Sequence, residues 1–471
     1  MARYINRTFL SILLSIFLLG CDSKDAFNRS LPAEPISPGS IISIEIVTKN
    51  PQTSLKLGEV IQFEAQAKYR EGHVNNITNE ANWAISKPQI ASIDNGKVVA
   101  KKYGNFDVHA DLQGITASYP DTQYVKGFVS AAMIKNSFIV LDSEGSVVDQ
   151  NKPYQADISG VSHLLNNIKN IYPDPYDNYS FGDAQGFAAV KQDGSVILFG
   201  NVGDTSSINA QLTNIKHVIL GYQTGAVHRN DNTVISWGNV TNPLTAPLSN
   251  VKSVTANAQA FAAIINDNSV VTWGNANWGA DSSKVQSELK NIKSVSATRQ
   301  GAFAAINNNS RVISWGEQNA GGDSSSVKAS LTNVDKIVGD FANFAALKSD
   351  GSIVLWGLFY GQPLNNAFLS NLTNVKDINA GELGFIALKY DGSVISFSNG
   401  TNINEWSAQK SPFTSVALHK TLGAVALNEQ GDVIRLSDNN VIFTNVSELL
   451  TIPYSNIIVA ILIDGSIASY K

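Results

Sequence analysis

Apolar and polar residues alternate along most of this chain, and one stretch shows the pattern at its clearest. Phe344-Ala-Ala-Leu-Lys-Ser-Asp-Gly-Ser-Ile-Val-Leu-Trp-Gly357 reads as a single β-hairpin. Ile353, Val354 and Trp356 are strand formers. Asp350-Gly351 suit a two-residue type I′ turn, whose central residues both need positive φ. Phe344 and Ala346 fall on one face of the strand, Ala345 and Leu347 on the other. A strand that is apolar on both faces is covered on both.

The same phrase recurs. Close copies run from Gly186 to Gly200, Ala260 to Gly274, Ala302 to Gly316 and Gly384 to Ser398. Looser ones contain Gly145-Ser146-Val147, Thr233 to Gly238, Gly431-Asp432-Val433 and Gly465-Ser466-Ile467. The nine turns lie 34 to 49 residues apart, most of them near 40. A fixed period of that size signals a repeat architecture. A second phrase lies between the hairpins: Leu248-Ser-Asn-Val, Leu289-Lys-Asn-Ile, Leu331-Thr-Asn-Val and Leu372-Thr-Asn-Val, with another copy at Leu212. It predicts one more short strand per unit, led in by Asn. Each unit is then strand, turn, strand, turn, strand, with no helix-length segment. Such a sheet cannot bury both faces alone; stacking on neighbours solves that, and radial closure leaves only short edges.

Residues 41–118 alternate without this repeat. Ile42, Ile44 and Ile46 alternate with Ser43 and Glu45, and Ile61 to Ala67 alternate over seven residues. Trp83 is a core candidate, and Ile90 to Ala100 form a hairpin about Asn95-Gly96. Short strands at this spacing predict a sandwich. The segment resembles the bacterial Ig-like group 2 domain through Leu57-Gly58, Phe63, Tyr69, Thr78, Trp83, Ala91-Ser92-Ile93, Gly96-Lys97-Val98 and Gly104. That resemblance implies a spacer between an anchor and a displayed domain.

The first residues read as an export signal. Arg3 and Arg7 precede an eleven-residue apolar run, Phe9 to Leu19, broken only by Ser11 and Ser15. The run is too short to span a bilayer, which takes about 20 residues. Leu18-Leu19-Gly20-Cys21 resembles the bacterial lipoprotein box. It implies a signal peptide over 1–20, acylation at Cys21 and a place in the cell envelope, on the inner membrane facing the periplasm or on the outer membrane. Residues 21–40, with Pro32, Pro35 and Pro38, read as a tether. Cys21 is the only cysteine, so there is no disulfide framework.

Residues 120–471 resemble the repeats of the regulator-of-chromosome-condensation family. The carrying phrase is Leu-x-Asn-Val-x-x-Ile, then Ala-Leu-x-x-Asp-Gly-x-Val-x-x-Trp-Gly, which Leu331 to Gly357 match almost throughout. The resemblance implies a β-propeller. Repeats near 40 residues are similar to those of secreted bacterial members with three-stranded blades, such as the β-lactamase-inhibitory propeller protein. The expected fold is all-β: an Ig-like sandwich followed by a propeller of seven to nine blades.

Composition narrows function mainly by exclusion. Net charge is −5, and only 15% of residues are charged against a usual ~25%. Nothing here offers the basic face that nucleic acid requires. The six His are scattered without metal-ligand spacing, and no nucleophile elbow or phosphate loop occurs. Asp193, Asp350, Asp391 and Asp464 stand at turns, which account for them. The expectation is a protein without enzymatic activity, cofactor or metal. Trp237, Trp273, Trp315 and Trp356 share one place in successive units and belong to the core. The aromatics outside the pattern are the binding candidates: Trp278, Phe359, Tyr360, Tyr172, Tyr176 and Trp406. Loops on a rigid scaffold carry binding residues, and Tyr and Trp anchor interfaces. The expected ligand is a protein on one propeller face; the alternative is a glycan at the cell surface.

Overall fold

The computed structural model describes residues 40–470 except 53, 135–136, 149–157, 159, 176–185, 239, 360–361, 364–371, 382–383, 399–401, 407–411, 420–421 and 451–456. Cys21, the leader and the tether lie outside the described residues.

The first unit is a sandwich. One sheet orders Ile41–Thr48, Val60–Tyr69, Lys97–Ala100 and Ala91–Asp94, with Val74–Asn76 also on Val60–Tyr69. Opposite it lie Ile115–Ser118, Val108–Leu112 and Asn82–Ile85. A small third sheet joins Ser54–Leu55, Gln123–Val125 and Gly104–Phe106, so this unit runs on to Val125. Alternation puts Phe63, Ala65, Ala67, Val98, Phe106, Val108 and Ala110 into the shared core. Trp83 is only half-buried at its edge, and its Nε1–H donates to Thr78 O at 2.8 Å. Asn95 and Gly96 have φ of 47° and 74°, as a two-residue type I′ turn demands.

From Phe128 onward the described residues form nine small antiparallel sheets, numbered here as blades 1 to 9. Blade 6 is typical: Val334–Gly339, Asn343–Lys348 and Ile353–Phe359 pair in chain order. The leading strands of successive blades lie against one another and form the innermost layer. Blade 1 also packs on blade 9: Phe128, Phe138 and Val140 share a core with Ile457, Val459 and Ile467. The sheets therefore close into a ring, a β-propeller of nine blades. Blades 6, 7 and 8 add a fourth outer strand, Gln362–Pro363, Asn402–Trp406 and Asn440–Phe443.

The doubly apolar strand has the predicted role. Phe344 and Ala346 pack with Ala302, Ala304 and Ile306 of blade 5. Ala345 and Leu347 pack with Phe385, Ala387 and Phe397 of blade 7. The large ring on one face meets small alanines on the other, which lets adjacent sheets approach closely. Phe344 also stacks on Trp356 of its own blade, ring centroids 5.0 Å apart.

The Asp-Gly turn differs from the two-residue form expected of it. Gly351 has φ 77°, but Asp350 does not have positive φ. Gly351 N–H donates to Lys348 O at 2.9 Å and Lys348 N–H to Ser352 O at 2.9 Å. The loop is thus three residues, Ser349 to Gly351, ending in a left-handed bulge. Asp350 serves by side chain instead: its Oδ1 accepts the Ser352 N–H at 2.9 Å and hydroxyl at 2.5 Å. Asn232, Asn268 and Ser310 hold the left-handed place where Gly is missing, with φ of 61°, 62° and 54°.

These turns lace the ring together. At every junction but that of blades 7 and 8, the carbonyl of the left-handed turn residue accepts the N–H that opens the next blade: Val334 to Ser310 at 2.9 Å, Val375 to Gly351 at 3.1 Å, Val446 to Gly431 at 2.8 Å. The Asn just before that donor is also left-handed, as at Asn333 (55°) and Asn374 (66°). Its carbonyl accepts from the hairpin turn of its own blade, Ser349 N–H to Asn333 O at 2.9 Å. Asn tolerates this backbone better than other side chains, which explains the Leu-x-Asn-Val phrase. Polar side chains on the inner strands also reach the next blade: Thr255 Oγ1 donates to Val295 O at 3.0 Å and Ser296 Oγ to Ile337 O at 2.8 Å.

Candidate binding face

Because every blade runs the same way, the ring has two different faces. The Asp-Gly turns gather on one, and the loops that follow Trp-Gly gather on the other. The Trp residues tie that second face down. Trp315 Nε1–H donates to Gly279 O at 3.0 Å and Trp356 Nε1–H to Gly321 O at 2.9 Å. Trp237 Nε1–H likewise reaches Val202 O at 2.7 Å. Each indole therefore holds the loop that left the preceding blade. All four Trp are buried, between 1% and 5% exposed. Trp273 departs from its siblings, since its buried Nε1–H has no acceptor.

Two of these loops share one structure. After blade 4, Asn275 caps a short 3-10 turn over Ala276–Trp278, closed by Gly279 at φ 93°. After blade 5, Glu317 caps Gln318–Ala320, closed by Gly321 at φ 94°. Asp281 Oδ1 then accepts from Ser283 N–H at 3.0 Å, and Asp323 Oδ1 from Ser325 N–H at 2.8 Å. Between the two loops lies a cleft of about 470 Å³, lined on its polar side by Asn277, Asp281, Lys284, Glu317, Gln318 and Asp323. The Ser283 hydroxyl holds the Asp281 carboxyl below its ordinary range, and the Ser325 N–H does the same for Asp323. Both carboxylates are charged at neutral pH. The cleft can pair with cationic groups and hydrogen-bond to hydroxyls and amides.

The sequence candidates are distributed unevenly about this face. Trp278 lies in the first loop but is half-buried, packed on the core shared by blades 4 and 5 with Phe303 and Trp315. It covers Gly301, where an added Cβ would stand 2.9 Å from the Trp278 Cα. The matching residue of the second loop is Ala320, fully buried. The cleft is lined by the neighbours of Trp278, Ala276 and Asn277, and Trp278 itself packs inward. Phe359 ends the strand Ile353–Phe359, opposite Gln362, where a loop was expected. Tyr172 belongs to the inner strand Ile168–Pro173, not to the insert after it. Its ring meets His217 edge-on at 4.7 Å and its hydroxyl donates to Lys216 O at 3.5 Å, joining blades 2 and 3. Trp406, expected in an insert, ends the fourth strand of blade 7 opposite Val394 and packs toward blade 8. Tyr176 and Tyr360 lie outside the described residues.

Sequence reasoning passed over the polar cleft residues. Their signal was the duplicated run Asn-Ala-Asn-Trp-Gly-Ala-Asp-Ser-Ser and Glu-Gln-Asn-Ala-Gly-Gly-Asp-Ser-Ser, ending at Ser283 and Ser325. Among the described residues, no three His, Cys, Asp or Glu are grouped to hold a metal ion.

No family model matches this chain, and no curated protein matches it. Solved structures do align with it. The WD40 ectodomain of the receptor kinase ACR4 of Arabidopsis thaliana aligns at 13% identity, over 64% of this chain and 97% of that one, with a TM-score of 0.33. The computationally designed Ika8 protein aligns at 12% identity, over 65% and 95%, with a TM-score of 0.35. Prp20p of Saccharomyces cerevisiae aligns at 14% identity, over 50% and 76%, with a TM-score of 0.32. At such identities the likeness concerns fold alone, and the nine laced sheets make this chain an all-β protein whose larger unit is a β-propeller.

Proposed function

We propose that this chain is a non-enzymatic binding protein of the bacterial cell envelope, anchored by a lipid on Cys21, whose propeller presents its Trp-Gly face to a protein partner. One observation carries the reading: two loops of the same structure, each pinned by a buried Trp, flank a cleft with carboxylates held charged. A rigid scaffold with shaped loops suits recognition. The cleft fits a basic side chain of the partner, since Asp281, Glu317 and Asp323 outnumber Lys284.

The test is capture from envelope extract with the full-length chain, beside the Asp281→Ala, Asp323→Ala double variant. Loss of the captured protein at an unchanged melting temperature supports the reading. Equal capture by both moves the site off this cleft. The anchor is tested by Cys21→Ala, which should release the chain to a soluble fraction or stall it as precursor.

A glycan ligand is the second reading, favoured by the amide and hydroxyl lining of Asn277, Ser282, Ser314 and Gln318. A glycan array separates it: retention of a defined sugar that the Asn277→Ala variant loses favours the glycan over the protein.

A further inference from the structure

We infer that the N-terminal sandwich is the clasp of the propeller: Tyr103 locks the seam where blade 9 meets blade 1, which seats the sandwich on the Asp-Gly face and turns the Trp-Gly face away from it. This role goes beyond the spacer that the sandwich resembles, and it does not depend on which ligand the propeller takes.

The seam differs from every other junction in the ring. Elsewhere adjacent blades are consecutive in the chain, so a short connection holds them together. Blade 1 begins at Phe128 and blade 9 ends with Ile467–Tyr470, and among the described residues no blade mixes strands from both ends of the propeller. Repeats stabilise one another only through neighbours, so the seam lacks the tether that its counterparts have.

A residue change marks the same place. Seven of the eight other junctions carry Asn before the opening strand: Asn167, Asn214, Asn250, Asn291, Asn333, Asn374 and Asn445. At the seam that position is Gly127. It keeps the backbone duty of the Asn, because Ser143 N–H donates to Gly127 O at 2.9 Å. What it lacks is a side chain, and Tyr103 fills the space. A Cβ on Gly127 would stand 2.4 Å from the Tyr103 ring. A Cβ on Gly465, in the turn of blade 9, would stand 2.9 Å from the same ring.

Tyr103 is anchored at both ends. Tyr103 is 7% exposed and belongs to the sandwich core, which Ile461 of blade 9 joins. Its hydroxyl donates to Ile463 O, in the Asp-Gly turn of blade 9 and 360 residues away in the chain. Lys126 N–H donates to Leu55 O at 2.9 Å, holding the entry to blade 1 on the sandwich. The exposed Lys102–Glu448 pair at 3.8 Å adds little. One aromatic residue thus touches the first residue before blade 1 and the last turn of blade 9 together.

The test is hydrogen exchange on the full-length chain carrying Tyr103→Ala. Exchange in Phe138–Leu141 and Ile458–Leu462 should quicken by about tenfold or more, while Ala302–Gly316 of blade 5 keeps its rate, because local opening is read region by region. Seam peptides exchanging at the parent rate overturn the clasp, and so does an equal rise in every blade. Tyr103→Phe keeps the ring and removes only the hydroxyl, so it should quicken the same peptides less. Gly127→Asn installs the side chain of the other junctions and should expel Tyr103. The radius of gyration from small-angle scattering should then rise, and the seam peptides should exchange faster while blade 5 stays protected; an unchanged radius overturns the proposal.

Discussion

The Phe128 N–H donates to the Gly465 carbonyl at 3.1 Å, across nearly the whole length of the propeller. This is the bond that joins Val375 to Gly351 and Val446 to Gly431 at ordinary junctions. Ring closure therefore uses the same contact as propagation, and the first and last blades are standard members of the ring. Deleting Ile458–Tyr470 should destabilise the whole propeller and not merely its last unit. Hydrogen exchange checks this: faster exchange reaching into blades 1 to 3 is expected, because those blades lose their packing across the seam.

The indole hydrogen bonds make the Trp residues unequal. Trp315→Phe should cost about 1–3 kcal/mol beyond the volume lost, since Gly279 O is left without its buried donor. Trp273→Phe removes a buried N–H that has no acceptor and should cost distinctly less. Denaturant midpoints at constant slope compare the two. Trp315→Ala should cost ~3–5 kcal/mol, the range for a large core cavity.

Turn glycines should show the strain of a left-handed backbone. Gly351 has φ 77°, and a Cβ there would meet Val375 N at 3.0 Å. Gly351→Ala should destabilise by about 1–2 kcal/mol. Gly351→Asn should cost less, because Asn232 and Asn268 already hold this position in blades 3 and 4. Thermal melts of the two variants decide the order.

Asp340 should make stability depend on pH in an unusual direction. It is 2% exposed, and burial pushes its carboxyl up to about 7, against N–H bonds from Ala342 and Asn343 that pull it down. The folded state thus holds a proton that the unfolded chain releases near its ordinary value of 3.8. This contribution is full below about pH 4 and is lost as pH rises toward 7. Asn343 fits the protonated form: its Oδ1 is buried without a donor, and its amide lies 3.4 Å from Asp340 Oδ2. Turned over, that amide would accept the Asp340 proton. Asp340→Asn should flatten the slope of stability between pH 4 and 7 and raise the melting temperature at pH 8.

The sandwich should need its last strand to stand alone. A fragment of residues 41–126 should unfold cooperatively in denaturant, and one of residues 41–118 should be weaker. The shorter piece loses Gln123–Val125, which pairs with both Ser54–Leu55 and Gly104–Phe106. Equal midpoints would mean that this third sheet contributes nothing to the sandwich.

Periodicity alone determined the repeat, its nine units and the face each strand residue takes. Those are local facts: a side chain points up or down by position, and Phe344 or Ala345 carries that information in its own neighbourhood. The Asn that leads in each inner strand was legible for the same reason; its left-handed backbone came only with the structure. The loop length at Asp350-Gly351 was not, because a two-residue and a three-residue turn accept the same pair, and the pairing of Lys348 with Ser352 chooses between them. Nor did sequence position tell a loop aromatic from a packing one. Trp278 and Trp406 break the repeat in sequence, yet the first covers a bare Gly301 and the second completes a fourth strand. Only the tertiary structure brings Tyr103 to Gly127 and Gly465, because nothing in a local window records which distant surface a ring will meet when the circle closes.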